Sequence, residues 1–194
     1  MRDIHDMLVL RKLGITADEL RIGDQIRVGK YTATCQDVTT EGAVFLMDQY
    51  LDEDMPMNWE RSNIGGYAAS SLRKRLNSEE ILRIFRGWRD WMVPLFNDDL
   101  LRIPTVGEMF GSDWCRSAVE LDGFNQWELM KTRKYRVAYR NNCIEYGWLL
   151  NGLEWSKTDF CVIDGWGDIK HRSALLSLGV RPVFLIRCYQ GDKA

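Results

Sequence analysis

A chain of 194 residues with 45% hydrophobic and 28% charged side chains fits one globular domain, long enough to bury more than half of its unfolded surface without staples. Four prolines argue against a linker-rich or disordered chain. The 26 basic and 28 acidic side chains nearly cancel, which excludes a uniformly basic nucleic-acid coat and a polyanionic mimic, so any electrostatic function is local.

Ile4, Met7, Leu8 and Arg11 stand at helical spacing before Gly14, which predicts a short N-terminal helix over Ile4 to Leu13. Residues 1–18 form this helical segment and residues 19–194 a single α+β domain. From Ile22 the period becomes two. Ile22–Val28, Tyr31–Cys35 and Gly42–Met47, separated by Gly29-Lys30 and Thr40-Glu41-Gly42, describe an antiparallel meander, and the third run, apolar on both faces, is the candidate for its most central strand.

Tyr50 to Gly66 reads as a surface loop rich in Asp, Asn and Gly. Its carboxylates Asp52, Glu53 and Asp54, with Asp48 before them, lack the alternating ligands and central glycine of a Ca²⁺ loop, so they are read as solvated charge. Ser70 or Ser71 can cap a helix carrying Leu72 and Leu76, and Glu79 to Trp91 continues at three- and four-residue apolar spacing. Arg73, Lys74 and Arg75 lie on the polar face of the first. Thr105 and Glu108 form the spacing of a capping box at the start of one helical turn.

Lys131, Arg133, Lys134, Arg136 and Arg140 fall within ten residues that also hold Tyr135 and Tyr139 but no acid. Such a segment can pair with phosphates while a tyrosine stacks on a base; the alternative is a solvated strand or loop balancing the acidic loop. Short strands follow at Glu145–Leu150, Phe160–Ile163 and Gly179–Ile186. Gly165-Trp166-Gly167 lacks the lysine and helix of a phosphate loop and is read as a turn.

Eight tryptophans are the main departure from ordinary composition, and each is read first as core and second as contact surface. Cys35, Cys115, Cys143, Cys161 and Cys188 are odd in number and contain no Cys-x-x-Cys, so they read as reduced, mostly buried thiols. His5 and His171 are the only histidines; no nucleophile motif, metal-ligand set or cofactor signature is recognised, and neither catalytic nor metal or cofactor residues are assigned. The acidic start Met1 to Asp6 and the lack of a membrane-length apolar run point to a cytoplasmic protein with no membrane partner.

In this order, Ile22-Gly23-Asp24, Ser70-Ser71-Leu72-Arg73 to Leu76-Asn77, Ile103-Pro104-Thr105 to Glu108-Met109-Phe110, Tyr146-Gly147-Trp148-Leu149 and Gly179-Val180-Arg181-Pro182-Val183 resemble a family of uncharacterised domains. That family is found in prophages and other mobile elements of Gram-positive gut bacteria. The likeness covers roughly residues 20 to 187. Leu149-Leu150-Asn151 departs from it, since the family tends to carry an Arg-Ser pair there. The family looks similar to C-type-lectin-like domains, which implies an α+β fold with an antiparallel sheet core, flanking helices and a lectin-like second half displaying the loops between Trp114 and Trp166.

A small phage protein with aromatic and basic patches also resembles, in kind, the inhibitors phages raise against bacterial immunity, the anti-CRISPR proteins among them. The expectation is a non-enzymatic binding protein that inhibits a host defence nuclease, such as an RNA-guided effector, in the host bacterium's cytoplasm. Its contacts would be Lys131, Arg133, Lys134, Tyr135, Arg136 and Arg140, with Arg73, Lys74 and Arg75 second, and its partner a protein, nucleic acid, or both. The alternatives are a lectin-like glycan-binding module and, last, a cysteine enzyme built on Cys161 and His171.

Overall fold

The computed structural model describes residues 3–4, 20–111 and 125–187. Its chain is mixed α+β with more strand than helix. Strands β1 (Asp3–Ile4), β2 (Gln25–Val28), β3 (Tyr31–Val38) and β4 (Gly42–Met47) enter a six-stranded sheet in the order β1-β2-β3-β4-β13-β6, with β6 at Met92–Val93 and β13 at Val183–Arg187. All its pairings are antiparallel except β1 with β2.

The meander is the one the period-two pattern predicts. Gly29, at φ 60°, takes the left-handed position that a two-residue hairpin between β2 and β3 requires. β4 is buried along its whole length because both its faces are covered, as its unbroken apolar run anticipates. Ala43, Phe45 and Met47 enter one core with Phe184 and Ile186 of β13, while Val44 and Leu46 enter a second with Val183 and Leu185.

Two expectations are corrected at the N-terminus and in the acidic loop. Ile4 is a strand residue in parallel register with Ile26, not the first residue of a helix; residues 5–19, which would carry the rest of that helix, lie outside the described residues. The 50–66 segment is not wholly a surface loop, since Tyr50, Leu51, Met55, Pro56 and Met57 are buried. Met55–Pro56 is strand β5, paired with β12 (Ser177–Leu178). The methionines anchor the loop to the core, and the carboxylates stay outside.

Ser70 caps helix α1 (Ser71–Leu76), accepting from the Arg73 amide at 3.0 Å, and Leu72 and Leu76 are buried. The expected continuation to Trp91 is broken. Only Glu79–Leu82 is α-helical (α2), and two 3₁₀ turns follow at Arg83–Phe85 and Arg89–Trp91. Gly87 falls between those turns, and the Trp88 indole donates to the Arg27 carbonyl at 2.7 Å, so the segment bends to seat Phe85 and Trp88 on the sheet. Helix α3 (Val106–Phe110) begins with the capping box, and all five of its residues are buried.

The last third supplies α4 (Arg133–Arg136), the hairpin β7 (Tyr139–Arg140) and β8 (Cys143–Ile144), and a three-stranded antiparallel sheet. That sheet runs β11-β10-β9, with β9 at Gly147–Gly152, β10 at Asp159–Ile163 and β11 at Ile169–Ser173. β11 was not among the expected strands because its Lys-His-Arg centre sits on an edge, where no apolar alternation is needed. Among the described residues no helix is long and apolar enough to cross a membrane.

Candidate functional site

Helix α4 lies between the main sheet and the β10–β11 turn. Beneath it Arg181, from the Gly-Val-Arg-Pro run, donates from Nε to the Met47 carbonyl at 2.5 Å and from Nη1 to the Tyr135 carbonyl at 3.1 Å. Burial pushes its guanidinium below the ordinary arginine range, partly offset by the nearby Tyr50 and Asp48. Above α4, Arg133 donates to the Trp166 carbonyl and, through Nη2, to Asp168 at 2.6 Å; Arg136 donates to the Gly167 carbonyl at 3.0 Å and lies over the Phe110 ring.

Gly167 has a reason to be glycine. Its φ is 77°, and a Cβ there would meet the Arg133 carbonyl oxygen at 3.0 Å. Buried Asp164 accepts from the amides of Trp166 and Asp168, each at 2.9 Å, which closes the turn. Trp166 is thereby held by its backbone while its ring remains 76% exposed. Ile144 packs against Gly165, and it and Tyr135 are exposed beside it.

The candidate cations are thus brought together only in part. Lys131 pairs with Glu128 at 2.6 Å, and Lys134 sits over the Tyr135 ring. Arg140 turns away from α4, forming a two-pronged contact with Asp54 at 2.9 Å and a single hydrogen bond to Glu145 at 2.6 Å; these carboxylates hold its guanidinium well above the ordinary range. Arg73 pairs with Asp99, and Arg75 with Glu80 at 2.6 and 2.8 Å. Among the described residues Lys74 has no ion-pair partner, and it is exposed.

The acidic loop, read from the sequence as solvated charge, is a docking point for cations from three elements. Asp52 takes Lys30, Glu53 lies 3.8 Å from Arg75, and Asp54 takes Arg140. Lys30 holds the Asp52 carboxyl below the usual carboxylate range. Beside it a cleft of about 290 Å³ is lined by Tyr31, Gln49, Tyr139, Asn141 and Asn142 among others.

His171 stands opposite Cys161 in the β10–β11 register. Its Nδ1 is 3.1 Å from Asp159 Oδ2 and its ring meets the edge of Trp155, while Cys161 is buried in the second core. Among the described residues no group of three His, Cys, Asp or Glu side chains converges as a metal site. Cys35 is buried and Cys143 exposed, whereas Cys115, Cys188 and His5 lie outside the described residues.

Of the tryptophans in the expected display region, Trp127 and Trp148 are core, and Trp155 and Trp166 are exposed; Trp114 lies outside the described residues. Trp59, in the acidic loop's distal half, is exposed and was not singled out by the sequence. Compared with family profiles, curated proteins and solved structures, the chain matches none.

Proposed function

We propose that the chain is a non-enzymatic binding protein whose contact face is α4 with the β10–β11 turn. The observation that carries this reading is Trp166, a large ring exposed to solvent on a turn fixed by Asp164 and Arg133. An aromatic anchor whose backbone is already ordered loses little entropy on binding, and Trp, Tyr and Arg are the side chains that dominate contact energies. Lys134, Tyr135 and Ile144 complete the face.

The partner is a protein in this proposal, with a host defence nuclease as the class that the resemblance to mobile-element proteins and phage inhibitors implies. Direct nucleic-acid binding has less support, because Lys131, Arg133, Arg140, Arg73 and Arg75 already face carboxylates and Arg136 donates to the Gly167 and Met130 carbonyls, which leaves Lys134 and Lys74 of the candidate cations to meet phosphates. A second reading, a lectin-like module for small glycans, draws on the Tyr139, Asn141, Asn142 and Gln49 cleft, which offers an aromatic face beside amide groups.

Pull-down with tagged protein, with and without nuclease treatment of the lysate, tests the first reading when wild type is compared with Trp166→Ala and Lys134→Glu. A nuclease complex retained after nucleic-acid digestion and lost with Trp166→Ala is the expected result. Retention by both variants removes this face from consideration. Glycan binding abolished by Tyr139→Ala would favour the second reading instead.

A further inference from the structure

At the opposite end of β10, three loops are tied into one surface. The Asn63 side chain donates to the carbonyls of Leu153 at 3.0 Å, Ser156 at 2.6 Å and Asp159 at 3.1 Å, and its amide donates to the Lys157 carbonyl at 2.9 Å. The Asn58 amide reaches the Ala174 carbonyl at 3.0 Å, and the Ala174 amide reaches that of Thr158 at 2.8 Å. Residues 58–66, 153–158 and 173–177 are therefore held side by side, the first two through Asn63 and the third through Ala174.

That surface is apolar out of proportion to its position. Trp59 is 73% exposed, Ile64 74% and Trp155 63%, and Leu175 and Leu176 are exposed as well. At these exposures the five side chains offer about 600 Å² of apolar area, close to the roughly 800 Å² that each partner contributes to a standard interface. A patch of that size on a water-soluble fold marks a contact.

Charge decides which occupant fits. The exposed charged residues on these loops are Glu60, Arg61, Glu154 and Lys157, two of each sign, and among the described residues none has an ion-pair partner. A two-fold rotation sets residue i of one copy against residue j of the other, so a rim with two charges of each sign allows acid to face base between two copies, where a rim of one sign would repel itself. We infer that this end of the molecule binds a second copy of the chain, forming a two-fold homodimer through Trp59, Ile64 and Trp155. This surface is separate from the Trp166 face and does not depend on the function proposed for it.

Sedimentation velocity of the full chain from about 1 to about 100 μM, spanning the affinities of moderate interfaces, reads the association directly. The expected result is a dimer whose dissociation constant rises at least about 30-fold with Trp59→Ser or Trp155→Ser, the loss typical of an interface anchor. Both positions are exposed, so unchanged circular dichroism is expected of each variant. The pair Glu60→Lys/Glu154→Lys and the pair Arg61→Glu/Lys157→Glu should each be monomeric alone and associate when mixed one to one. A wild type that stays monomeric at about 100 μM, or a dimer indifferent to both tryptophan substitutions, overturns the inference.

Discussion

Glu108 does two jobs with one carboxylate. It accepts from the Thr105 amide at 2.8 Å as the return half of the capping box, and it holds Arg102 through contacts of 2.8 and 2.5 Å. Both side chains are 1% exposed. Thr105 and Glu108 were legible as a capping box from their spacing alone, whereas Arg102 gave no sign that it would be buried beside them. Removing one partner strands a charge away from water, so Glu108→Ala should lower stability by about 3–5 kcal/mol, read from urea unfolding. Tyr50 gives the second prediction at this scale. It is enclosed by Gly147 and Gly179, where an added Cβ at Gly179 would come within 2.7 Å of the ring. Burial, first among its causes, pushes its phenol up from 10.0 to about 12. The folded state then keeps the proton that the unfolded chain gives up. Stability from this group is fully present below pH 10 and declines as pH rises through about 12, and Tyr50→Phe should flatten that part of a stability-versus-pH curve.

At the scale of elements, α4 is too short to be stable by itself, having only four residues, and tertiary contacts must hold it. Arg181 supplies the lower contacts, through the carbonyls of Met47 and Tyr135, and Arg133 and Arg136 supply the upper ones. Arg181→Met should therefore free residues 131–140 before it unfolds the sheet. Amide exchange in that segment is expected to accelerate about tenfold to a hundredfold, the loss of a charge-assisted hydrogen bond or two, with smaller changes in β3 and β4. β2, β3 and β4 follow from local alternation and from turn residues between them. The 79–91 segment kept its apolar spacing but not its helix, because Trp88 found a carbonyl on β2, a contact 61 residues away. β11 was invisible because none of its five residues is buried, so no apolar alternation marks it.

Across the whole molecule, the two cores lie on opposite faces of the same strands. Phe160 and Val162 of β10 join Phe45 and Phe184 in the first, while Cys161 and Ile163 join Leu46 and Leu185 in the second. Of the seven tryptophans among the described residues, Trp88, Trp127 and Trp148 are buried, Trp91 packs half-buried against the first core, and Trp59, Trp155 and Trp166 stand outside. The sequence by itself determined the meander, a serine cap at position 70 or 71, the Thr105 capping box, the Gly165-Trp166-Gly167 turn and the covered faces of β4, since each depends on residues a few positions apart. Only the tertiary structure decided which charges are neutralised and which rings are displayed. Arg140 meets Asp54 across 86 positions, Arg133 meets Asp168 across 35, and Asn63 gathers carbonyls 90 to 96 positions away. Charge pairing and exposure are set by distances in space, and no period or spacing along the chain encodes those distances.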